Sequence, residues 1–288
     1  MVVVVVAMVG LNLWWYWCYR RGFPLHIDES GYTAFALAQS QALHRSGLSG
    51  LLHSFETQQT VFGPLVPFLT VPLEVVAGQR VGNGYLVILG FYAFLVLVTY
   101  DIARRLVSAR LAALAAVVVA TAPEVVTYSR AYYFAVPAAA LLAAATACFL
   151  RSDGLRRSGW ALAGGLMLGL ALLSRTQMLA AVPCVLAAAF VQAVFVTDRD
   201  RRRRITNLAD AVFVAVGVAA TWYGRNFGDA VGYLRGTRFR TSTPTPDAYR
   251  LTPLLRFVGQ IVDTTQLPVG IILIGVTTLA VTRAWRRH

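Results

Sequence analysis

The sequence predicts an all-α fold: a polytopic transmembrane helical bundle of about eight spans, with an amphipathic helix lying on the membrane in its first external loop. Three observations predict it. Of the 288 residues, 57% are hydrophobic, where a soluble domain is nearer ~45–50%. Apolar runs of roughly 15–20 residues recur, long enough as helices to cross a ~30 Å hydrocarbon core. Only 14% of residues are charged, and they fall mostly between the runs.

The opening stretch "MVVVVVAMVGLNLWWYWCYRRG" lacks the basic start and small-residue cleavage site of a signal peptide, so it reads as a retained anchor over 2–19. Trp14, Trp15, Tyr16, Trp17 and Tyr19 form an aromatic belt where it leaves the bilayer. Residues 28–44 read as the interfacial helix, with Tyr32, Phe35, Ala36, Ala42 and Leu43 on one stripe that Gln39 interrupts. The next apolar stretch, "VFGPLVPFLTVPLEVVAG", carries three prolines and Glu74. Proline removes a helical hydrogen bond and kinks the chain, so 61–77 reads as a short helix leaning on or re-entering the membrane. Further spans are predicted at 82–100, 111–123, 136–150, 160–174, 178–196, 207–223 and 266–282.

Charge gives the orientation. The net charge is +13, and all 26 basic residues are arginine. "DIARRLVSAR", "RSDGLRRSG", "TDRDRRRRIT" and the tail "RAWRRH" all fall on one side of the predicted spans, which the positive-inside rule makes cytoplasmic. The other side then holds "PEVVTYSRAYYF", "LSRTQ", the 20–81 segment and the 224–265 loop. Arg20 and Arg21 sit awkwardly on that outer side, and the 224–265 loop holds six arginines. Were 61–77 to span, the amino-terminal part would flip. Several function classes recede: no Gly-rich phosphate loop, serine-nucleophile motif or CxxC is present, and no aromatic–basic constellation suggests nucleic acid. A transporter would place polar residues inside its spans, which here hold almost none besides Asn12. Cys18, Cys148 and Cys184 lie in apolar runs and read as small core residues.

The chemistry concentrates in "FPLHIDESGY". Asp28 and Glu29 open the interfacial helix, where carboxylates favour the positive end of the helix dipole. A carboxylate beside the membrane also suits a general base. The residues alone leave both readings open. Adjacent helical side chains point about 100° apart, so at most one of the two serves as base. On the same side stand Arg130, Arg175 and Arg225, either snorkelling anchors or forked donors for a phosphate. Tyr128, Tyr132, Tyr133, Trp222 and Tyr223 neighbour them as sugar or interface contacts. His26, His44 and His53 match no metal-ligand spacing. Asp101 reads as paired with Arg104 and Arg105, and Glu74 as within reach of Arg80.

A first helix, a loop opening on Asp-Glu, an interfacial helix and arginine-bearing short loops together resemble the GT-C superfamily of membrane glycosyltransferases. The nearest branch is glycosyltransferase family 39, which includes protein O-mannosyltransferases and aminoarabinose transferases of lipid A. The stretches "IDESGYTAFA", "FGPLVPFL", "YDIARRLVSARLAALAAVVVATAPEVVTYSRAYYFAVP", "GGLMLGLALLSRTQMLAAVP" and "TWYGRN" carry the resemblance across most of 26–226. It implies a GT-C-like catalytic module over 1–226, an external loop over 227–265 and a last span with a basic tail over 266–288. It implies transfer of a sugar from a polyprenyl-phosphate donor to an extracytoplasmic hydroxyl, with inversion, on a bacterial cell-envelope lipid, glycan or protein. Asp28 would be the base, Glu29 would contact the acceptor, and Arg130, Arg175 or Arg225 would stabilise the leaving phosphate. Two features depart from the family. Metal-assisted members carry an acid where this chain has Ala135, with Glu124 about ten residues earlier, which argues against a divalent metal. Members also usually continue with more spans, so the chain reads as a minimal module, half of a split enzyme with a partner membrane subunit, or a truncated product. The alternative is a non-catalytic GT-C-like membrane protein that binds lipid-linked sugar or scaffolds a partner.

Overall fold

The structure is a computed structural model that describes residues 1–21, 25–58, 62–195 and 200–240, with side chains in the last stretch described as far as Tyr233. Among the described residues every regular element is helical. The elements are α1 (Val2–Trp15), continued by a π-helical turn (Tyr16–Arg20), α2 (Ile27–Thr57), α3 (Leu65–Ala77), α4 (Gly82–Leu106), α5 (Ala109–Thr121), α6 (Pro123–Ser129), α7 (Ala135–Arg151), α8 (Ser158–Ser174), α9 (Met178–Phe195) and α10 (Arg201–Arg240).

Among the described residues, three helices are long and apolar enough to cross a membrane: Val2–Arg20, Gly82–Leu106 and Arg201–Tyr233. A fourth span arises if α5 and α6, bent by 59° at Ala122, count as one. The segments expected to span at 136–150, 160–174 and 178–196 form α7, α8 and α9, which are apolar but short. At 1.5 Å per residue, 17 residues reach about 26 Å, just under the hydrocarbon thickness. The span expected at 207–223 is longer than the sequence suggested, because α10 continues to Arg240 through the first part of the 227–265 segment. The expected span at 266–282 lies outside the described residues.

Small residues set the helix spacing. Ala211, Ala215 and Ala219 recur every fourth position along α10 and are all buried. They face Gly165 and Gly169 of α8. A Cβ on Gly165 would stand 2.1 Å from the Ala211 carbonyl oxygen, and one on Gly169 would stand 2.9 Å from that of Ala215. Glycine here permits the close backbone approach that apolar helices use to pack where hydrophobic contrast with lipid is lacking. α8 also packs on α7, α7 on α4, and α4 on α5.

The basic connections gather at one end of this bundle. Asp101, at the end of α4, accepts two hydrogen bonds from Arg151 at the end of α7, at 3.1 and 2.6 Å. The Arg105 partner expected from the sequence is also present, at 3.5 Å. Arg156 pairs with Asp200 at 3.1 Å, and Asn207 donates to the Leu155 carbonyl at 2.6 Å.

The opposite end holds α2 and α3. Helix α2 is interrupted at Ser46 and Gly47, where Gly47 adopts a positive φ of 63°. It folds back so that Gln39 hydrogen-bonds Gln58. Its inward face is Glu29, Tyr32, Ala36, Gln39 and Ser40, spaced three and four apart and more polar than the predicted stripe. α3 enters and leaves at the same end. A Cβ on Gly63, before it, would meet the Leu173 carbonyl of α8 at 1.8 Å. Gly78, after it, accepts from Asn83 of α4 at 2.8 Å. Glu74 is buried on α3 beside Ser40.

Candidate functional site: a carboxylate pair between an aromatic face and an arginine-lined cavity

The site begins at the cap of α2. His26 holds extended backbone angles as the N-cap, and its ring accepts from the Asp28 amide at 3.4 Å. Glu29, three positions on, accepts from the His26 amide at 3.0 Å, which closes a capping box. This geometry turns Glu29 inward, where only 3% of it is exposed. Its carboxylate also pairs with Arg20 at the end of the π-helical turn and accepts from the Tyr132 amide at 3.0 Å. One buried carboxylate thus joins the first helix, the start of α2 and the loop before α7. Arg20, awkward in the topology, is the partner that allows an acid to be buried there.

Asp28 points the other way. Its side chain is 53% exposed and accepts from the Tyr133 hydroxyl at 3.2 Å. That hydroxyl also lies 2.8 Å from His26 Nδ1. Burial, then the Asp28 charge and hydrogen bond, push the Tyr133 phenol up to about 12. Tyr133 belongs to an aromatic face: its ring centroid lies 5.6 Å from Tyr128 and 5.7 Å from Tyr32. Tyr32 lies 4.9 Å from Phe62 and 4.4 Å from Phe134. The Tyr32 phenol is raised by burial and then by the charge of Asp28, while the Arg175 cation acts in the opposite sense. Asp28 and Arg175 therefore share the electrostatic neighbourhood of one hydroxyl. Arg175 is steadied by Gln177, whose Oε1 accepts from Nε at 3.0 Å.

On the Glu29 side lies a cavity of about 270 Å³, lined by Arg20, Arg21, Arg130, Glu29, Tyr85 and Tyr132 among others. Glu29, and not Asp28, contributes to its wall. Arg130 Nε donates to Asn12 Oδ1 at 3.1 Å, and its guanidinium sits 4.8 Å over the Trp15 ring. Arg21 lies 4.4 Å over Trp17. Three guanidinium groups against one carboxylate leave the cavity positive, and Arg forks match phosphate oxygens.

The structure thus brings Asp28, Glu29, Arg130, Tyr128 and Tyr133 to one end, with Arg175 acting on the same aromatic face. Arg225 instead pairs with Glu56 at 3.4 Å near the folded-back end of α2. The Gln39–Gln58 contact ties that end to a position 11 residues past Asp28, about 16 Å along the helix. Tyr223 is buried between α8 and α10 and donates to the Leu172 carbonyl at 3.2 Å. Sequence reasoning gave no role to His26 and none to Asn12 beyond its rarity in the spans. That rarity was itself a signal, since a polar residue in an apolar helix needs a partner. Ala135 opens α7 without a ligand atom, and among the described residues no three His, Cys, Asp or Glu side chains gather to hold a metal.

A family model described as dolichyl-phosphate-mannose-protein mannosyltransferase matches residues 63–223, more than half of the chain. The matched stretch includes Arg130, Tyr133 and Arg175 and starts after Asp28 and Glu29. Comparison with curated proteins and with solved structures found no match. The matched region carries the loop that docks on Glu29, the helices that frame the site and the apolar bundle beneath it, and on this footing the chain belongs to the dolichyl-phosphate-mannose-protein mannosyltransferase family of GT-C membrane glycosyltransferases.

Proposed function

We propose that the protein transfers a sugar from a polyprenyl-phosphate donor to an acceptor hydroxyl on the extracytoplasmic side of the cell membrane. Asp28 takes the proton of the acceptor O–H. The acceptor oxygen forms a bond to the anomeric carbon as the bond from that carbon to the phosphate oxygen breaks, which inverts the anomeric centre. The electron pair leaves with polyprenyl phosphate. Arg130, together with Arg20 and Arg21, receives the phosphate charge, and Arg175 supports it from the aromatic face. Tyr128 and Tyr133 offer ring surfaces to the sugar. Glu29 positions rather than reacts, because its carboxylate is occupied by Arg20, His26 and Tyr132. Arg225, engaged by Glu56, takes no part.

The observation that carries this reading is the division of labour across one turn of α2. A half-exposed carboxylate, Asp28, adjoins an aromatic face, while its buried neighbour Glu29 lines a cavity with three arginines. The extracytoplasmic placement is supported by the arginine-rich connections at the opposite end. Labelling of a cysteine introduced at Ser30 from outside intact cells tests it, and protection there would reverse it.

The reaction is tested by incubating the purified chain in lipid with a polyprenyl-phosphate sugar and an acceptor alcohol, then assigning the anomeric configuration of the product. Inversion is expected, and retention would contradict a single displacement. A second reading, a non-catalytic binder of lipid-linked sugar, is favoured by the absence of Asp28 from the cavity wall. It predicts donor binding without turnover.

A further inference from the structure

At the end of the bundle opposite Asp28, Arg105, Arg151, Arg157 and Trp160 enclose a second cavity, of about 180 Å³. Three elements build it. α4 delivers Arg105 from its last turn, α7 ends on Arg151, and Arg157 is the N-cap of α8. Among the described residues one carboxylate serves them. Asp101 takes both nitrogens offered by Arg151, at 3.1 and 2.6 Å, and lies 3.5 Å from Arg105 Nε. Among the described residues no acid pairs with Arg157, whereas its neighbour Arg156 is held by Asp200. Three guanidinium groups against one carboxylate leave two positive charges facing the same small space. Arg151 is further fixed 4.8 Å over the Trp160 ring. The first turn of α8, a 17-residue helix, adds the positive end of its dipole beside Arg157.

The surroundings indicate what kind of anion would enter. Leu106, Leu150, Trp160 and Leu162, each next to or within two residues of a cavity residue, are exposed large apolar side chains. They place the cavity at the rim of the apolar belt, where a tryptophan marks the boundary between hydrocarbon and headgroups. A free anion would have no use for that apolar border, but a lipid phosphodiester would meet the arginines with its headgroup and the leucines with its chains.

We propose that this cavity is a binding site for the phosphodiester headgroup of an anionic phospholipid in the leaflet at the basic end of the bundle. The forked donors of Arg105 and Arg157 take the phosphate oxygens. Asp101 holds Arg151 in place beside them. Basic clefts between helices at this depth attract anionic headgroups through local charge that solvent screens only weakly. The site is separate from sugar transfer and stands or falls independently of it.

Native mass spectrometry of the full chain, released from vesicles of phosphatidylcholine and phosphatidylglycerol, tests the proposal by counting retained anionic lipid. R105Q and R157Q should each weaken phosphatidylglycerol retention about fivefold, and the double variant about 25-fold. R157K, which keeps the charge without the fork, should fall between wild type and R157Q. R110Q removes the same charge at the same end of the bundle, outside the cavity lining, and should leave retention unchanged. A loss in R110Q equal to that in R157Q would overturn the site in favour of face-wide attraction. Unchanged retention in R105Q/R157Q would overturn it outright. Displacement of the lipid by soluble glycerol phosphate at equal concentration would assign the cavity to a free phosphate and overturn the lipid reading.

Discussion

Asn12, deep in the first apolar helix, accepts a hydrogen bond from Arg130 Nε at 3.1 Å, across 118 residues of chain. The same oxygen lies 3.4 Å from Ser129 Oγ, and the amide nitrogen donates to the Met8 carbonyl at 3.0 Å. A lone polar side chain in a hydrocarbon-facing segment is thereby satisfied and fixes the cation that faces the cavity. N12L removes the acceptor but not the arginine. A hydrogen bond to a charged group contributes about 1.5–3 kcal/mol, so KM for the lipid-linked donor should rise about tenfold or more while kcat changes little. R130Q, by contrast, should lower kcat itself about 100-fold. Equal effects of both variants on kcat would contradict the assigned positioning role.

Glu29 makes a different prediction, about folding. Its side chain is 4% exposed and that of Arg20 16%, so removing the acid takes a charged partner away from a largely buried guanidinium. E29A should cost about 3–5 kcal/mol in denaturant unfolding. R20M/E29A should be less destabilised than E29A alone, because no cation is then left beside the missing acid. A loss near zero in E29A would mean that the three contacts of Glu29 do not hold the site together.

Tyr133 predicts a pH dependence. Its phenol is pushed up to about 12 in the folded protein, against about 10 in an unfolded chain. Between those values the unfolded state gives up a proton that the folded state keeps, so stability falls as pH rises through that window. Below it the contribution is fully present. Y133F lacks the group and should lose stability less steeply from about pH 10 to about pH 12. Parallel curves for the two proteins would contradict the assignment.

The α8–α10 contact predicts an overpacking effect at a single methyl group. G165A places a carbon 2.1 Å from a backbone oxygen and should destabilise by about 1–3 kcal/mol. G90A, with nothing within 4 Å of the new carbon, should leave the unfolding midpoint unchanged or raise it.

Much of this architecture is legible in the sequence. Apolar runs give the helices, because a hydrocarbon environment forces backbone groups into helical hydrogen bonds. The three prolines foretell a short α3, and the Asp-Glu pair falls where Arg20, Tyr132 and Tyr133 converge. What the sequence leaves open is set by contacts between distant segments. Asp28 and Glu29 are chemically alike in the sequence, and only the docking of Arg20 and Tyr132 makes one structural and leaves the other half-exposed. His26 looks incidental until its ring is seen capping α2 and meeting Tyr133. Arg225 and Tyr223 look like site residues beside Trp222, yet Glu56 and the Leu172 carbonyl engage them elsewhere. The length of α10 also escapes the sequence, since the arginines of "YLRGTRFR" read as a loop while the helix runs on through them.

The most direct measurement is sugar transfer by D28N from a polyprenyl-phosphate donor, compared with wild type at equal folded protein. Asp28 makes no ion pair with an arginine among the described residues, so the variant should insert and unfold like wild type. Transfer should fall by at least about 100-fold, the scale of a lost general base, while donor binding to the arginine-lined cavity persists. Full activity in D28N, with the protein intact, would contradict the account.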